Sequence, residues 1–265
     1  MIAGIDPIAF HLGPWPVYWY GLIIGLGMVS AYQLIVYLGR QKGLTEETLL
    51  DFMFWGVLIG FIGARLYYVI FQWDYYSQHL EQIIQIWNGG LAIYGGVIAG
   101  ALTILYLTRQ KAINPWLIFD VAAPGLLLAQ SIGRWGNFMN QEAYGGPVSV
   151  DFLQRLHLPS WLIEQMKINN IYHHPTFLYE SIWSLVGVFL LLYVGRYKKT
   201  QLGDVACSYF IWYGFGRMLI EGLRTDSLYF GSWRISQVLS GFLVGIGVFL
   251  LVKRHRFNDL MERGK

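Results

Sequence analysis

The chain has a single cysteine, Cys207, among its 265 residues, so no internal disulfide framework can form and no C-x-x-C pair exists to hold zinc. Charge is also scarce: 13% of residues are Asp, Glu, Lys or Arg, against roughly 25% in an ordinary soluble domain. That excludes a soluble enzyme and a disordered chain. The net charge of +3 is too small and too scattered for a nucleic-acid partner, whose binders concentrate Lys and Arg on one face. There is no Gly-x-Ser-x-Gly elbow and no His-Glu-x-x-His motif, which leaves an intramembrane serine or zinc hydrolase without support. The neighbouring His173 and His174 face apart on any regular element and have no companion at ligand spacing, so no metal site is expected. The first sixteen residues contain no Lys or Arg, whereas a cleaved signal peptide begins basic, so removal of a leader is not expected. No heptad, low-complexity tract or internal repeat is found, which weighs against the inverted-repeat architecture of many transporters.

Apolar residues are abundant: 55% are hydrophobic and 17% aromatic, with a mean hydropathy of +0.43. They fall into seven runs, 17–39, 50–71, 91–108, 115–138, 175–195, 203–222 and 232–252. Crossing a hydrocarbon layer of about 30 Å takes on the order of 20 helical residues. In lipid every backbone amide must find its partner within the segment, and the period-two alternation of a barrel is absent. The expectation is an all-α integral membrane protein with seven transmembrane helices, forming one polytopic domain over 1–265.

Lys and Arg are retained in cytoplasmic loops. Twelve lie on one side of the expected membrane: Arg40, Lys42, Arg109, Lys111, Arg196, Lys198, Lys199, Lys253, Arg254, Arg256, Arg263 and Lys265. The other side has four, Arg155, Lys167, Arg224 and Arg234. An outside amino terminus and a cytoplasmic carboxyl terminus follow. Residues 139–174 are expected to form a small external cap between helices 4 and 5. Residues 72–90, with Trp73, Tyr75, Tyr76 and Trp87, should lie along the interface, where amphipathic aromatics settle.

A charge inside a bilayer costs at least about 2.5 kcal/mol on insertion scales, so each is a functional suspect. Spans two, four and six run outward and place Arg65, Arg134 and Arg217 in their later, external halves. The other spans run inward and place Tyr20, Asn88, Tyr94, His174, Tyr179, Glu180 and Arg234 in their early, external halves. Asp120 is the exception, lying toward the cytoplasm, where a structural salt bridge or a helix start is expected. Arg217, Glu221 and Arg224, spaced by four and three, share one helix face. Two arginines in excess of their partner call for a further anion, and a phospholipid phosphate fits the planar guanidinium fork. Glycines at 89, 90, 95, 96 and 100 are expected to let helices approach closely.

The run Gly133-Arg134-Trp135-Gly136-Asn137-Phe138-Met139-Asn140-Gln141-Glu142-Ala143-Tyr144-Gly145 resembles the signature of bacterial prolipoprotein diacylglyceryl transferases. Tyr18-Trp19-Tyr20-Gly21, Gly63-Ala64-Arg65-Leu66, the stretch from Trp87 through Gly96, His174-Pro175-Thr176-Phe177-Leu178-Tyr179-Glu180, and Gly216-Arg217 through Glu221 and Arg224 resemble the family's other blocks, in order. The resemblance implies transfer of the diacylglyceryl group of phosphatidylglycerol to the lipobox cysteine of a prolipoprotein signal peptide. It places this at the outer face of the bacterial cytoplasmic membrane, among membrane lipids, with no cofactor. It also implies seven spans. By motif the family's important residues fall on Tyr20, Arg134, Asn137, Glu142, Gly145, Arg217 and Glu221. Where some members carry a histidine in the third span this chain has Tyr94, so a histidine base cannot act there.

Such a transfer breaks a carbon–oxygen bond as sulfur attacks a glycerol carbon, so stabilising the departing phosphate is the main requirement. Arg134 and Arg217 are expected to hold that phosphate. Glu142 is left open between accepting the thiol proton and orienting Arg134, with Tyr94 or water as other acceptors. Tyr20, Arg65, Asn88, Asn137, Gly145, His174, Glu180, Glu221 and Arg224 are expected around the headgroup. The competing reading is a lipid or small-anion transporter that uses the same arginines to bind phosphate without chemistry.

Overall fold

Each of the seven apolar runs forms a helix. The structure is a computed structural model describing residues 5–227, 229–231 and 233–263, with the side chains of Asn88, Phe230 and residues 257–263 outside that description. A hairpin of β1 (Ile8–Leu12) and β2 (Trp15–Tyr18) precedes α1 (Trp19–Gln41). Then come α2 (Glu46–Phe71), a single turn α3 (Trp73–Tyr76), α4 (Ile93–Gln110) and α5 (Pro115–Met139). The next stretch contains β3 (Pro147–Val148), α6 (Val150–Arg155), α7 (Ser160–Gln165), β4 (Lys167–Ile168) and β5 (Ile171–His173). It leads into α8 (Thr176–Arg196), α9 (Asp204–Glu221), the hairpin β6 (Tyr229–Phe230) with β7 (Trp233–Arg234), and α10 (Ile235–Arg263).

Five helices are long and apolar enough to cross a membrane: α1, α2, α5, α8 and the 235–256 part of α10. The other two have 18 residues each. α4 is diluted by its glycines and by Arg109 and Gln110 at its end, and α9 carries Asp204, Arg217 and Glu221. The first and last expected runs begin too early. Val17 belongs to β2, and the chain becomes helical only at Trp19 and Ile235, since Pro16 and the short hairpins hold the preceding backbone extended. Ser232 lies outside the described residues.

The chain packs as two compact units, one holding residues up to Leu34 and from Phe119 onward, the other Ile35–Ile118. In the second unit α2 and α4 meet through glycine. A Cβ added at Gly63 would lie 2.8 Å from the Gly95 carbonyl oxygen, and one at Gly60 3.3 Å from that of Gly96. Such backbone-to-backbone approach requires small residues. Thr45 caps α2 by accepting the Thr48 amide, with Glu46 and Glu47 in its first turn complementing the dipole.

In the first unit Ala123, Leu127, Val188, Leu191 and Val205 form one apolar core. Ser131 and Ser181 each donate a hydroxyl to the other's carbonyl at 2.9 Å, joining α5 to α8. α8 and α9 are joined by a reciprocal pair of indoles. Trp183 donates to the Trp212 carbonyl at 3.0 Å and Trp212 to that of Trp183 at 2.9 Å, with the rings stacked 4.3 Å apart. Gly187 and Gly216 seat these rings, and a methyl group at either would collide with an indole. Asp120 of α5 serves α9: its carboxylate accepts the Gly203 and Ala206 amides at 2.6 and 2.9 Å. It supplies the helix-start role expected of it, but to a helix 83 residues further on.

The stretch expected as a cap packs Leu153, Leu162, Ile163 and Met166 into one buried core with Phe138 of α5 and Phe177 of α8, and carries a three-stranded antiparallel sheet ordered β3-β5-β4. Gln165, 1% exposed, closes it by accepting the Ile5 amide and donating to the Phe138 carbonyl.

Candidate active site

Arginines from two of the motif blocks meet around one buried carboxylate of a third. Glu180, in the first turns of α8, is 7% exposed. Its Oε2 lies 2.5 Å from Arg134 Nη2 of α5, and its Oε1 3.0 Å from Arg217 Nη1 of α9. Oε1 also takes Arg224 Nη1 at 3.3 Å. Arg217 is held on its other side by Glu221, four residues on, at 2.7 Å. Arg224 is gripped by both carboxylate oxygens of Asp226 at 2.9 and 2.6 Å. Burial pushes the Asp226 carboxyl up, but the hydrogen bonds and charge of Arg224 outweigh it and hold the group below the usual carboxylate range.

Local structure explains how these side chains converge. The Trp183–Trp212 pair fixes the register of α8 on α9. Trp183 lies three residues after Glu180, and Gly216, the seat of its ring, directly precedes Arg217. Arg224 lies beyond the end of α9 and so does not share a helix face with Arg217, contrary to expectation: Gly222 and Leu223 turn the chain out of the helix. It arrives through backbone pairing instead. The Gly145 amide donates to the His174 carbonyl, the Gly146 amide to that of Leu223, and Gly145 bridges Arg224. Gly145 has no room for a side chain, since a Cβ would lie 2.6 Å from that of His174 and 3.0 Å from the Leu223 oxygen.

The turn after α5 carries Glu142 between two residues in left-handed conformation, Gln141 at φ 51° and Ala143 at φ 58°. Non-glycine residues adopt this region at a cost and often at functional sites. Gln141 is tied to the Gln165 carbonyl at 2.7 Å and Thr176 to that of Ala143 at 2.5 Å. The exposed Glu142 accepts a hydrogen bond from Asn137 Nδ2 at 2.8 Å, and Asn137 Oδ1 faces Arg134 Nη1 at 3.5 Å. Tyr20 lies over Gly136, where a Cβ would meet its ring at 2.9 Å, and its phenol feels the charges of both Glu142 and Arg134. His174 Nδ1 is 3.3 Å from the Tyr179 hydroxyl, and burial pushes its imidazole below the ordinary value.

A family model described as prolipoprotein diacylglyceryl transferase matches residues 7–253. The phosphatidylglycerol–prolipoprotein diacylglyceryl transferase of Staphylococcus saprophyticus is 50% identical over 251 residues, 94% of this chain and 90% of that relative. Those of Limosilactobacillus reuteri and Geobacillus kaustophilus are 48% and 49% identical, each over 96% of this chain and over 93% and 94% of their own lengths. The chain belongs to the prolipoprotein diacylglyceryl transferase family.

Of the residues that the resemblance to these transferases points to, Tyr20, Arg134, Asn137, Glu142, Gly145, Arg217 and Glu221 all lie in the first unit, with His174, Glu180 and Arg224. Asp226 was not among the expected site residues, and Arg234 was expected only in the external half of its span, with no role given. Arg234 donates to the Glu221 carbonyl and, at 2.9 Å, to the Tyr229 hydroxyl. The pair at 224 and 226 is the only trace that Asp226 leaves in the sequence. Arg65, Asn88 and Tyr94 belong to the second unit. Tyr94 is 37% exposed in the first turn of α4, and the Asn88 side chain lies outside the described residues. Arg65 is directed at main-chain carbonyls, with no carboxylate among its described partners.

Proposed function

We propose that this chain transfers the diacylglyceryl group of phosphatidylglycerol to the lipobox cysteine thiol of prolipoproteins, forming a thioether and releasing glycerol phosphate. The observation that carries the reading is the convergence of Arg134 and Arg217 on the two oxygens of a single buried carboxylate, within the blocks that define the family. Two guanidinium forks so spaced suit the non-bridging oxygens of a phosphodiester. The thiolate attacks the glycerol carbon, the carbon–oxygen bond breaks, and its electron pair leaves on the phosphate. Arg134 and Arg217 favour that growing charge, a contribution on the order of 3 kcal/mol per donor group. Glu180 and Glu221 align the two forks. Arg224 and Gly145 shape the headgroup pocket, with Tyr20 and His174.

The incoming thiol, with an ordinary pKa of about 8.5, loses its proton more readily beside these cations. Glu142, exposed and bonded through Asn137 toward Arg134, either accepts that proton or orients Arg134, with Tyr94 or a water as the other candidate acceptors. The whole chain serves as one polytopic membrane domain. Its seven helices run from an outside amino terminus to a cytoplasmic carboxyl terminus, with the site toward the outer leaflet. The asymmetry of Lys and Arg supports this orientation.

Purified protein incubated with labelled phosphatidylglycerol and a lipobox peptide tests the reading. Thioether product with stoichiometric glycerol phosphate is expected, whereas lipid movement without product would replace it with transport. Arg134→Lys keeps the charge but loses the fork, and turnover is expected to fall by about 100-fold, the scale of one lost oxyanion donor. Near-normal turnover would remove the clamp role.

A further inference from the structure

Arg65 sits near the end of α2, is 7% exposed, and was expected among the residues around the headgroup. Its guanidinium faces the protein's own backbone. Nε donates to the Ile83 carbonyl at 2.7 Å and Nη2 to that of Gln82 at 2.7 Å. Nη1 donates to Gly89 at 2.8 Å and to Gly90 at 2.9 Å. Four of the five N–H groups of the side chain are thereby used. The Tyr76 and Tyr68 rings lie 5.2 and 6.0 Å from the guanidinium carbon, a cation–π environment that disperses its charge.

The acceptor side is built to match. Gly89 and Gly90 hold φ of 84° and 79°, which turns their two carbonyls to the same nitrogen. A Cβ at Gly90 would lie 2.5 Å from Nη1 and 2.7 Å from the Tyr68 ring. The Ala92 amide then donates to the Ala64 carbonyl at 3.0 Å, and α4 starts at the next residue with Ile93 and Tyr94. The segment so held also presents Leu80, Ile84 and Trp87 outward, 60%, 74% and 72% exposed, as expected of a stretch lying along a membrane interface.

We infer that Arg65 is a positioning residue: one guanidinium ties two separated stretches, 82–83 and 89–90, to the end of α2, and so fixes where α4 begins and where Tyr94 stands. Arg65 acts through this loop and does not hold the lipid phosphate. The role in turnover rests on the transferase reading; the anchoring of the loop does not.

The test combines backbone hydrogen exchange with kinetics on the purified full chain for Arg65→Gln and Arg65→Lys. Lysine keeps the charge but has its donors on one nitrogen, which cannot serve both stretches. In both variants amide exchange across residues 82–92 is expected to rise at least about tenfold, since hydrogen bonds from a charged group are lost. Turnover falls by a similar factor, while KM for phosphatidylglycerol stays within about twofold, because uniform substrate binding is untouched. Gly90→Ala, which crowds the acceptor side and leaves the charge in place, is expected to give the same pattern if the arginine variants fail to fold. A large rise in KM with unchanged exchange would overturn the inference in favour of a phosphate contact, and faster exchange with normal turnover would overturn the positioning role. If wild-type protein makes no thioether the transferase reading fails, and the exchange measurement alone decides whether Arg65 anchors the loop.

Discussion

Glu180→Gln isolates the contribution of the shared carboxylate. Glutamine keeps the shape of the side chain, offers one acceptor oxygen and turns an NH2 group toward a guanidinium. The three arginines do not suffer equally. Arg224 retains both contacts to Asp226, and Arg217 retains Glu221 at 2.7 Å. Arg134 is left with Asn137 at 3.5 Å. Removing one partner of a buried ion pair costs about 3–5 kcal/mol. The Arg134 side chain is 22% exposed, so hydration relieves part of this. A loss of about 2–3 kcal/mol is therefore expected, between the value of one charge-assisted hydrogen bond and that of a fully stranded charge. Denaturant or thermal unfolding in detergent gives the loss, and a double-mutant cycle with Arg134→Gln assigns it, with a coupling of about 2 kcal/mol expected. Transfer should fall by about 100-fold as the Arg134 fork loses its alignment. A coupling below about 0.5 kcal/mol, within the error of additivity, would refute the assignment of Glu180 as the group that holds Arg134.

Gly145→Ala forces a methyl group to within 2.6 Å of the His174 Cβ and 3.0 Å of the Leu223 oxygen. A destabilisation of about 1–3 kcal/mol is expected from this overpacking, measured by unfolding, together with loss of transfer as Arg224 is displaced. Burial lowers the His174 pKa, so the folded state binds this proton less readily than the unfolded state. Its contribution to stability is complete above about pH 6.5, the unfolded value, and is lost as the pH falls from there through the lowered folded value. His174→Gln should flatten that part of a stability-versus-pH curve, and an unchanged curve would locate the titration elsewhere.

The helices were legible because run length alone reports burial in hydrocarbon, and the i to i+4 spacing of Arg217 and Glu221 revealed their pairing directly. The central role of Glu180 was not legible, because its three partners lie 37 to 46 residues away in sequence and meet it only through tertiary packing. The partners of Arg65 were not legible for a related reason. A buried arginine with no nearby acid suggests an external anion, but main-chain carbonyls leave no side-chain trace, and the glycine pair at 89 and 90 was read as a packing device. The ends of the two hairpins, Val17 with Tyr18 and Trp233 with Arg234, were absorbed into the runs beginning at 17 and 232 because the apolar side chains there, Val17 and Trp233, read continuously with the helices that follow.

Asp120 joins the start of α9 to α5, while Glu180 joins Arg134 and Arg217 toward the other ends of the same two helices. Two rods lashed at both extremities cannot gape like a pair of tongs. On the proposed reading, admitting a phosphate between the two guanidinium groups then falls to torsions of their own flexible stems, so the fit can be retuned at single side chains without disturbing the scaffold.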